Sequence, residues 1–407
     1  MTEQQNTTTA VRPGKTQALV ACAAIISGTV LGLAGTDLVL PAVPAMPEIF
    51  GTSIAASQLI MALYVAGTSI GLLVFGSLAS YIGRRRLFIG SLALFAVTSG
   101  AATFSPSIEV LNIIRFLQGA AASGPAVLAP GLIRSLFSEL GSIRAIGAMG
   151  SIEALTPGLA PILGAWLFSY YGWQASFTLT AFLVAALCAL MIVRPKLLPS
   201  IGTKENSGPG SYKKLLGNIT YLRYALGHAF VLGGLLTFVF SAPAVIVETM
   251  NGTIEDFIIM QIVGVSTFII AANFSGHLVK WFGVERVIMA GTIIALLGAS
   301  ILLGYALWGD NDPGHLKALF WFLNVGLGVR GGPGFVRALS AADGDDDRAS
   351  ALLIFFITMV AAGGTAIIAP FITVGLIALT SVVFAIISPS LLLMIFIKPL
   401  QAPSPQP

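Results

Sequence analysis

A short signature occurs twice in this chain, once in each half. Its first copy spans residues 76–86 and reads GxLxxxxGxxR, and residues 276–286 of the 407-residue sequence repeat it. Each copy ends one long apolar stretch and begins another. A turn that is duplicated between apolar stretches is typical of membrane transporters built from two related helix bundles.

The composition agrees with a membrane protein. Apolar residues make up 56% of the chain and charged residues only 9%, whereas soluble domains carry about 25% charged residues. The 45 glycines let helices approach closely in lipid. The net charge of +4 indicates membrane topology and not nucleic-acid binding, because so few charges are present.

The apolar stretches are long enough to cross a bilayer, which takes about 20 residues. Charged or Pro/Gly-rich breaks divide them into twelve predicted spans. The last boundary falls in an uncharged region, where we expect a tight turn near Pro370–Gly375. The spans are 17–40, 54–82, 87–104, 107–136, 145–169, 174–193, 221–248, 254–282, 287–308, 318–339, 349–371 and 374–397.

The longest polar interruption, residues 194–220, is rich in Lys, Gly, Ser and Pro and is predicted to be a flexible cytosolic linker. It separates an N-terminal six-helix bundle (17–193) from a C-terminal one (221–397). Residues 1–16 and 398–407 are then cytosolic tails. If both termini are inside, nearly all loop Lys and Arg residues are cytoplasmic and only Lys317 lies outside, as the positive-inside rule requires.

The even number of spans, the central linker and the duplicated turn resemble the major facilitator superfamily over about residues 17–397. The resemblance implies an all-α membrane protein with 12 transmembrane helices in two pseudo-symmetric six-helix bundles. It also implies a protein that usually works as a monomer in the cell (inner) membrane, binds a small-molecule substrate, and uses a proton gradient and no cofactor.

Asp37 lies near the end of the first predicted span. A carboxylate within a span costs about 2.5–3.5 kcal/mol on insertion scales and needs a partner or a role. The segment Asp37-x-x-x-Pro41-x-x-Pro44 resembles an element of the drug/proton antiporters, in particular their bicyclomycin-resistance branch. That resemblance makes Asp37 a candidate proton site. The alternative is an acid simply hydrated at the outer interface.

Arg115 is predicted to lie two turns into the fourth span, near the depth of Asp37. Asn112, Arg115 and Gly119 share a polar, small-residue helical face suited to a water-lined cavity, and Gln118 completes an Arg-x-x-Gln-Gly pattern that resembles a motif of the family's fourth span. An acid and a guanidinium in one hydrated cavity predict a proton switch. The alternative is an arginine that snorkels to the interface.

The fifth predicted span carries Pro157, Gly158, Pro161 and Gly164. Small residues at these steps allow close helix packing, and the prolines bend the segment. The pattern resembles a relaxed form of the family's antiporter motif, although the order is Pro-Gly and the second glycine pair is incomplete. A kinked helix without directional meaning explains it equally well.

Two further charged residues are candidates for the substrate cavity. Glu153 is either a second protonation site or cation contact, or an ion-pair partner of Arg134 or Arg144. Arg330 lies in a Gly/Pro-rich predicted span of the kind that borders substrate sites in transporters. It either lines the cavity or snorkels to the inner surface.

The duplicated signature predicts two gating loops. In the first copy the family's usual aspartate is Ser80, so the usual pair within the loop cannot form. Its arginines are available to an acidic run that ends at Asp347, and we expect this pairing to latch the inner gate. Alternatively, these acids only cap and stabilise the N-terminus of the eleventh predicted span, where the helix dipole favours negative charge. The gating residues are Gly76, Gly83, Arg84, Arg85, Arg86, Gly276, Gly283, Arg286 and Asp347.

These features predict a proton-coupled antiporter that exports small amphipathic molecules by alternating access. One alternative is a facilitator or proton symporter for a sugar, an organic acid or a natural product. The other, from a different class, is a membrane receptor or scaffold that transports nothing. Since no nucleophile motif, phosphate loop or metal cluster is recognisable, the sequence does not predict an enzyme, a cofactor or a metal site.

Overall fold

The computed structural model describes residues 14–195, 197–198 and 211–400, which form helices and short 3₁₀ turns without strands. The turns are Leu40–Ala45, Pro313–His315 and Ala369–Val374. The helices are α1 (Lys15–Asp37), α2 (Met46–Phe50), α3 (Ile54–Ile82), α4 (Arg84–Thr103), α5 (Ile108–Leu136), α6 (Glu139–Glu153), α7 (Thr156–Tyr171), α8 (Gln174–Val193), α9 (Tyr212–Gly217), α10 (Ile219–Thr249), α11 (Ile254–Phe282), α12 (Val284–Trp308), α13 (Leu316–Ser340), α14 (Asp346–Ile368) and α15 (Leu376–Phe396).

Among these described residues, 11 helical segments are long and apolar enough to cross a membrane. Helix α13 is a twelfth segment of 25 residues, about 37 Å long, and Asn324, Arg330 and Arg337 make it less apolar than the others. The predicted all-helical membrane fold is confirmed. Three predicted spans, 54–82, 174–193 and 254–282, have the same bounds as α3, α8 and α11.

The predicted breaks within and between spans also occur. The fifth span bends between Glu153, where α6 ends, and Thr156, where α7 begins with a proline in its first turn. The last two spans are separated by the turn Ala369–Val374, which ends at Gly375 with a φ of +88°.

The duplicated signature forms the same turn in both halves. Gly83 ends α3 and begins α4 with a φ of +86°, and Gly283 joins α11 to α12 with a φ of +83°. Side chains with a Cβ rarely adopt this backbone conformation, so the turn requires glycine. The repeat in the sequence is therefore a repeat in the backbone.

Among the described residues, the two bundles share a buried core at one end, which we call the arginine end because it carries Arg84, Arg134 and Arg348. A single buried core at this end combines residues of both bundles, from Ala18 in α1 to Met394 in α15. At the opposite end the cores are separate. One contains α3, α5 and α8 residues of the first bundle, and another contains α10, α13 and α15 residues of the second. The space between the bundles therefore opens away from the arginine end.

Part of the predicted flexible linker is ordered. Residues 212–217 form the short helix α9, and α10 already begins at Ile219. The Tyr212 hydroxyl donates a hydrogen bond of 2.7 Å to the carbonyl of Leu73 in the first bundle. Residues 196 and 199–210 of the predicted linker, and residues 1–13 and 401–407 of the predicted tails 1–16 and 398–407, lie outside the described residues.

Candidate functional site

Asp37 is the last residue of α1, and the turn Leu40–Ala45 with Pro41 in its first positions follows it. Its side chain is half-buried. Within the part of the chain that the structure describes, no basic side chain lies at ion-pair distance from its carboxyl group. Asp37 is therefore a carboxyl group inside the fold without a fixed cation.

Arg115 lies close to the same helix end but bonds to the backbone. It is fully buried, and its Nη1 donates to the Gly35 carbonyl of α1 at 3.0 Å while its Nε donates to the Ile60 carbonyl of α3 at 3.2 Å. The guanidinium also stacks 4.2 Å above the Tyr64 ring. Arg115 thus joins three helices of the first bundle around Tyr64. It does not snorkel.

Tyr64 lies between Arg115 and α1, the helix that ends at Asp37. Its ring lies under the Arg115 guanidinium, and its hydroxyl donates a 2.6 Å hydrogen bond to the Gly32 carbonyl of α1. No ion pair joins Arg115 to Asp37.

The water-lined face predicted for α5 is a packing face in this conformation. Asn112 donates to the Ala56 carbonyl of α3 at 3.1 Å. Gln118 is fully buried and accepts from Arg115 at 2.7 Å. A Cβ on Gly119 would lie 2.0 Å from the Tyr64 carbonyl oxygen. The prediction missed this because polar side chains that bond to carbonyls give the same pattern as side chains facing water.

Glu153 lies at the break between α6 and α7, beside Thr29 in the middle of α1. The expected pairing with Arg134 is wrong, since Arg134 bonds to Asp346 at 2.5 Å. Arg144 also has no acid at ion-pair distance among the described residues. Glu153 is a second half-buried acid beside α1.

The small residues of the fifth span have different surroundings. A Cβ on Gly164 would lie 2.2 Å from the Leu38 carbonyl oxygen, so this glycine brings α7 directly against the end of α1 beside Asp37. Gly158 has no atom within 4 Å of its Cβ position. Pro157 begins α7, and Pro161 lies within it. Of this motif, Gly164 is the member that shapes the Asp37 region.

Arg330 is buried within the second bundle. It is 0% exposed, so it neither snorkels nor lines open space, contrary to both expectations. Its Nη1 donates to the Gly227 carbonyl of α10, and its Cβ packs against the Gly291 position of α12. The glycines of α13 and its neighbours create the room for this long side chain inside the bundle.

The structure brings the first gating loop and the acidic run together. The Arg84 Nε lies 2.7 and 2.8 Å from the two Asp347 oxygens, and Arg348 of α14 donates to the Ser80 hydroxyl at 2.9 Å. These bonds join α3 and α4 of the first bundle to α14 of the second. Asp346 and Asp347 also occupy the first turn of α14. The same two acids can therefore stabilise the N-terminus of α14 and pair with arginines of the first bundle.

The glycines of the two loops lie at matching contacts between the bundles. A Cβ on Gly76 would lie 2.7 Å from the Ala351 Cβ in the second bundle, and one on Gly276 would lie 2.5 Å from the Arg144 Cγ in the first. The other loop arginines differ, since Arg85 is half-buried and Arg86 and Arg286 are exposed. The small residues are thus the shared part of the two contacts.

Sequence reasoning missed Tyr64, Thr29 and Tyr212. A tyrosine or a threonine inside an apolar stretch needs a hydrogen-bond partner when it is buried, and this need could have marked these residues in the sequence. The partners of such residues are backbone carbonyls or side chains on other helices, and no spacing in the sequence identifies them.

One surface loop holds potential metal ligands that the sequence did not single out as a set. Ligand atoms of Asp310, Asp312 and His315 lie within 4.8 Å of one another, and all three residues are exposed. The Tyr305 hydroxyl donates to Asp310 at 2.6 Å and lowers the pKa of that carboxyl group. This hydrogen bonding accounts for the cluster, and we assign it no metal.

The sequence profile of the Major Facilitator Superfamily matches residues 25–369. The "Chloramphenicol resistance protein" of Pseudomonas aeruginosa is 26% identical over 72% of this chain and 70% of its own length. The "Multidrug resistance protein MdtL" of Escherichia coli is 24% identical over 73% of this chain and 75% of its own. The structure of the transporter FucP in the outward conformation superposes with a TM-score of 0.73 at 15% identity, covering 93% of this chain and 99% of FucP.

Proposed function

The chain belongs to the Major Facilitator Superfamily, and we propose that within it the chain is a proton-coupled antiporter that exports small amphipathic molecules. As a family member it is a multi-pass membrane transporter of small molecules and not an enzyme. The direction of transport, the coupling to protons and the substrate class are the proposal.

The observation that carries the proposal is the state of Asp37. A carboxyl group that is half-buried without a fixed cation can bind and release a proton without first breaking an ion pair. An unpaired acid within a span is costly, and acids of this kind mark proton pathways in transporters. The names of the relatives in Pseudomonas aeruginosa and Escherichia coli support drug efflux as the use of that proton.

The distribution of basic residues supports an orientation. We place the arginine end in the cytoplasm of a cell (inner) membrane, with both termini inside, because loop arginines concentrate there. The space between the bundles then opens to the outside, so Asp37 is loaded from the outer side in this conformation. We propose a monomer, since each chain contains both bundles.

In the proposed cycle, Asp37 takes a proton from outside, and the bundles rock so that the arginine end opens. The proton leaves to the cytoplasm, and a substrate that binds there is carried outward in exchange. Arg115 positions the end of α1 through the Gly35 carbonyl. Glu153 is the candidate for a second proton, because it is also half-buried and unpaired among the described residues.

The two loop signatures serve as gating elements in this cycle. The Arg84–Asp347 contact exists only while the arginine end is closed, so opening must break it. Asn112, Gln118, Gly119 and Arg330, which were predicted to line the substrate cavity, lie between helices in this conformation. They reach substrate only if the helices repack.

The test is transport in proteoliposomes after a pH jump, with a panel of compounds that includes chloramphenicol. We expect a proton gradient to drive accumulation of at least one compound, and Asp37→Asn to reduce gradient-driven transport at least tenfold. The matched control is Glu48→Gln, an exposed acid on α2 in the same segment, which should transport like the wild type. Undiminished coupled transport by Asp37→Asn would refute the assignment.

A further inference from the structure

The guanidinium of Arg330 is incompletely bonded. One of its nitrogens donates to the Gly227 carbonyl, but Nε and Nη2 are buried and have no hydrogen-bond partner among the described residues. A buried donor without a partner is costly, and a buried charge without one is costlier. Such a group in a folded protein indicates that something else completes its bonds.

A second unpartnered donor lies beside it. His228 of α10 is 5% exposed, and its Nδ1 also has no partner within the described part of the chain. Its ring packs edge-on against Phe335, with 5.8 Å between ring centroids. A neutral histidine that carries its proton on Nδ1 donates from that atom.

The two donors face the same small space beside α13. A Cβ built on Gly334 would meet only two atoms within 4 Å, Arg330 Nη2 and His228 Nδ1, each at 3.8 Å. A Cβ on Gly331, one turn earlier, would meet only His228 Cε1 at 3.9 Å. The glycines thus leave room where the donors converge.

The charges around this space are not balanced. Arg223 pairs with Glu285 at 2.9 Å, and Arg337 approaches the same carboxylate at 3.3 Å. Arg337 also lies 3.5 Å from the exposed Glu139. Half-buried Glu285 and Glu139 therefore serve Arg223 and Arg337, and no described acid lies at ion-pair distance from Arg330.

We propose that Arg330 Nη2 and His228 Nδ1 bind a small monovalent anion between α10 and α13. The ligand is the size of chloride or of a single carboxylate group, because the space beside Gly334 is that of a few atoms. The anion neutralises Arg330 and completes both donors. The site does not depend on proton coupling or on export, since every residue in it belongs to the second bundle.

Binding is measured on the purified full chain in lipid nanodiscs. The buffer contains sodium methanesulfonate, whose anion has no carboxylate and is larger than chloride, and chloride or bromide replaces it at constant ionic strength. We expect a saturable rise in the unfolding temperature and a matching calorimetric isotherm. Arg330→Gln should weaken the apparent affinity at least tenfold.

Gly334→Ala keeps the test decisive if Arg330→Gln does not fold. The new methyl group makes ordinary contacts at 3.8 Å and improves helix propensity, but it occupies the anion's space. We expect this variant to fold and to lose the halide response. The control is Gly90→Ala on α4, where nothing lies within 4 Å and the response should stay as in the wild type.

Transport measurements distinguish the two sources of the anion. If the natural ligand is a carboxylate on the transported molecule, chloride and formate should both inhibit transport of carboxylated compounds. If it is inorganic, chloride should be needed for transport of compounds without a carboxylate. The proposal is overturned if wild type shows no saturable response to chloride, bromide or formate, or if Gly334→Ala responds like Gly90→Ala.

Discussion

Replacing Asp347 with asparagine should open the arginine end of the protein. The Asp347 carboxylate accepts from Arg84 of the other bundle at 2.7 and 2.8 Å, and this contact is lost when the bundles separate there. Asp347→Asn therefore removes a bond present in one conformation only. A substitution of this kind shifts the balance between conformations by the energy of that bond.

The size of the shift follows from burial. The Arg84 and Asp347 side chains are 19% and 10% exposed, so the pair lies between two limits. Fully exposed pairs contribute about 0.2–1 kcal/mol, and breaking a fully buried pair costs about 3–5 kcal/mol. We take about 2 kcal/mol, which changes the ratio of closed to open molecules by about 30-fold, since about 1.4 kcal/mol is a factor of ten.

The assay is the distance between two spin labels at the arginine end. Tyr81 and Phe396 are suitable sites, because they belong to different bundles and are 72% and 78% exposed. The wild type should give mainly the short distance of the closed end, and Asp347→Asn should populate a longer one. Asp343→Asn is the control, because Asp343 lies four residues before Asp347, is exposed, and makes only a long contact of 3.9 Å to Lys214.

A double-mutant cycle separates the two roles of Asp347. If its carboxylate acts through Arg84, Asp347→Asn should have almost no further effect in an Arg84→Gln background. If it only stabilises the N-terminus of α14, the effect should be the same in both backgrounds. Equal effects, or an unchanged distance distribution in Asp347→Asn, would refute the latch.

Three further substitutions test the packing. Gly164→Ala should lower the unfolding temperature through overpacking of about 1–3 kcal/mol, because its Cβ would lie 2.2 Å from a carbonyl oxygen of α1; Gly158→Ala, with nothing within 4 Å, should not. Arg115→Lys should lower both thermal stability and transport, since lysine cannot bond two carbonyls and stack on Tyr64 together. Tyr212→Phe should weaken closure by about 1 kcal/mol, measured with the same spin labels. Burial raises the pKa of the Tyr212 phenol, so its contribution should be complete below about pH 10 and disappear as pH rises through the folded-state pKa.

The spans and turns could be predicted because local properties determine them. A stretch of about 20 apolar residues must be helical in lipid, since its backbone has no other hydrogen-bond partners. Gly83 and Gly283 mark turns because their backbone conformation excludes other residues. These constraints act within a few residues, so one sequence contains them completely.

The interior of each bundle could not be predicted in the same way. Arg115 and Arg330 were expected at a cavity, because a charged residue in a span indicates water or a partner. Their partners are the carbonyls of Gly35, Ile60 and Gly227, and every residue type has a carbonyl. The sequence therefore shows that an arginine needs acceptors, and only the fold shows which ones it has.

The closed end is held by contacts that suit repeated opening. Lipid gives helices no hydrophobic drive to associate, so close packing of small residues and polar bonds must hold the bundles together. Gly76 of α3 meets Ala351 of α14, and Gly147 of α6 meets the Ala272 carbonyl of α11. Such contacts form without rearranging large side chains, and the polar bonds beside them contribute about 1–2 kcal/mol each.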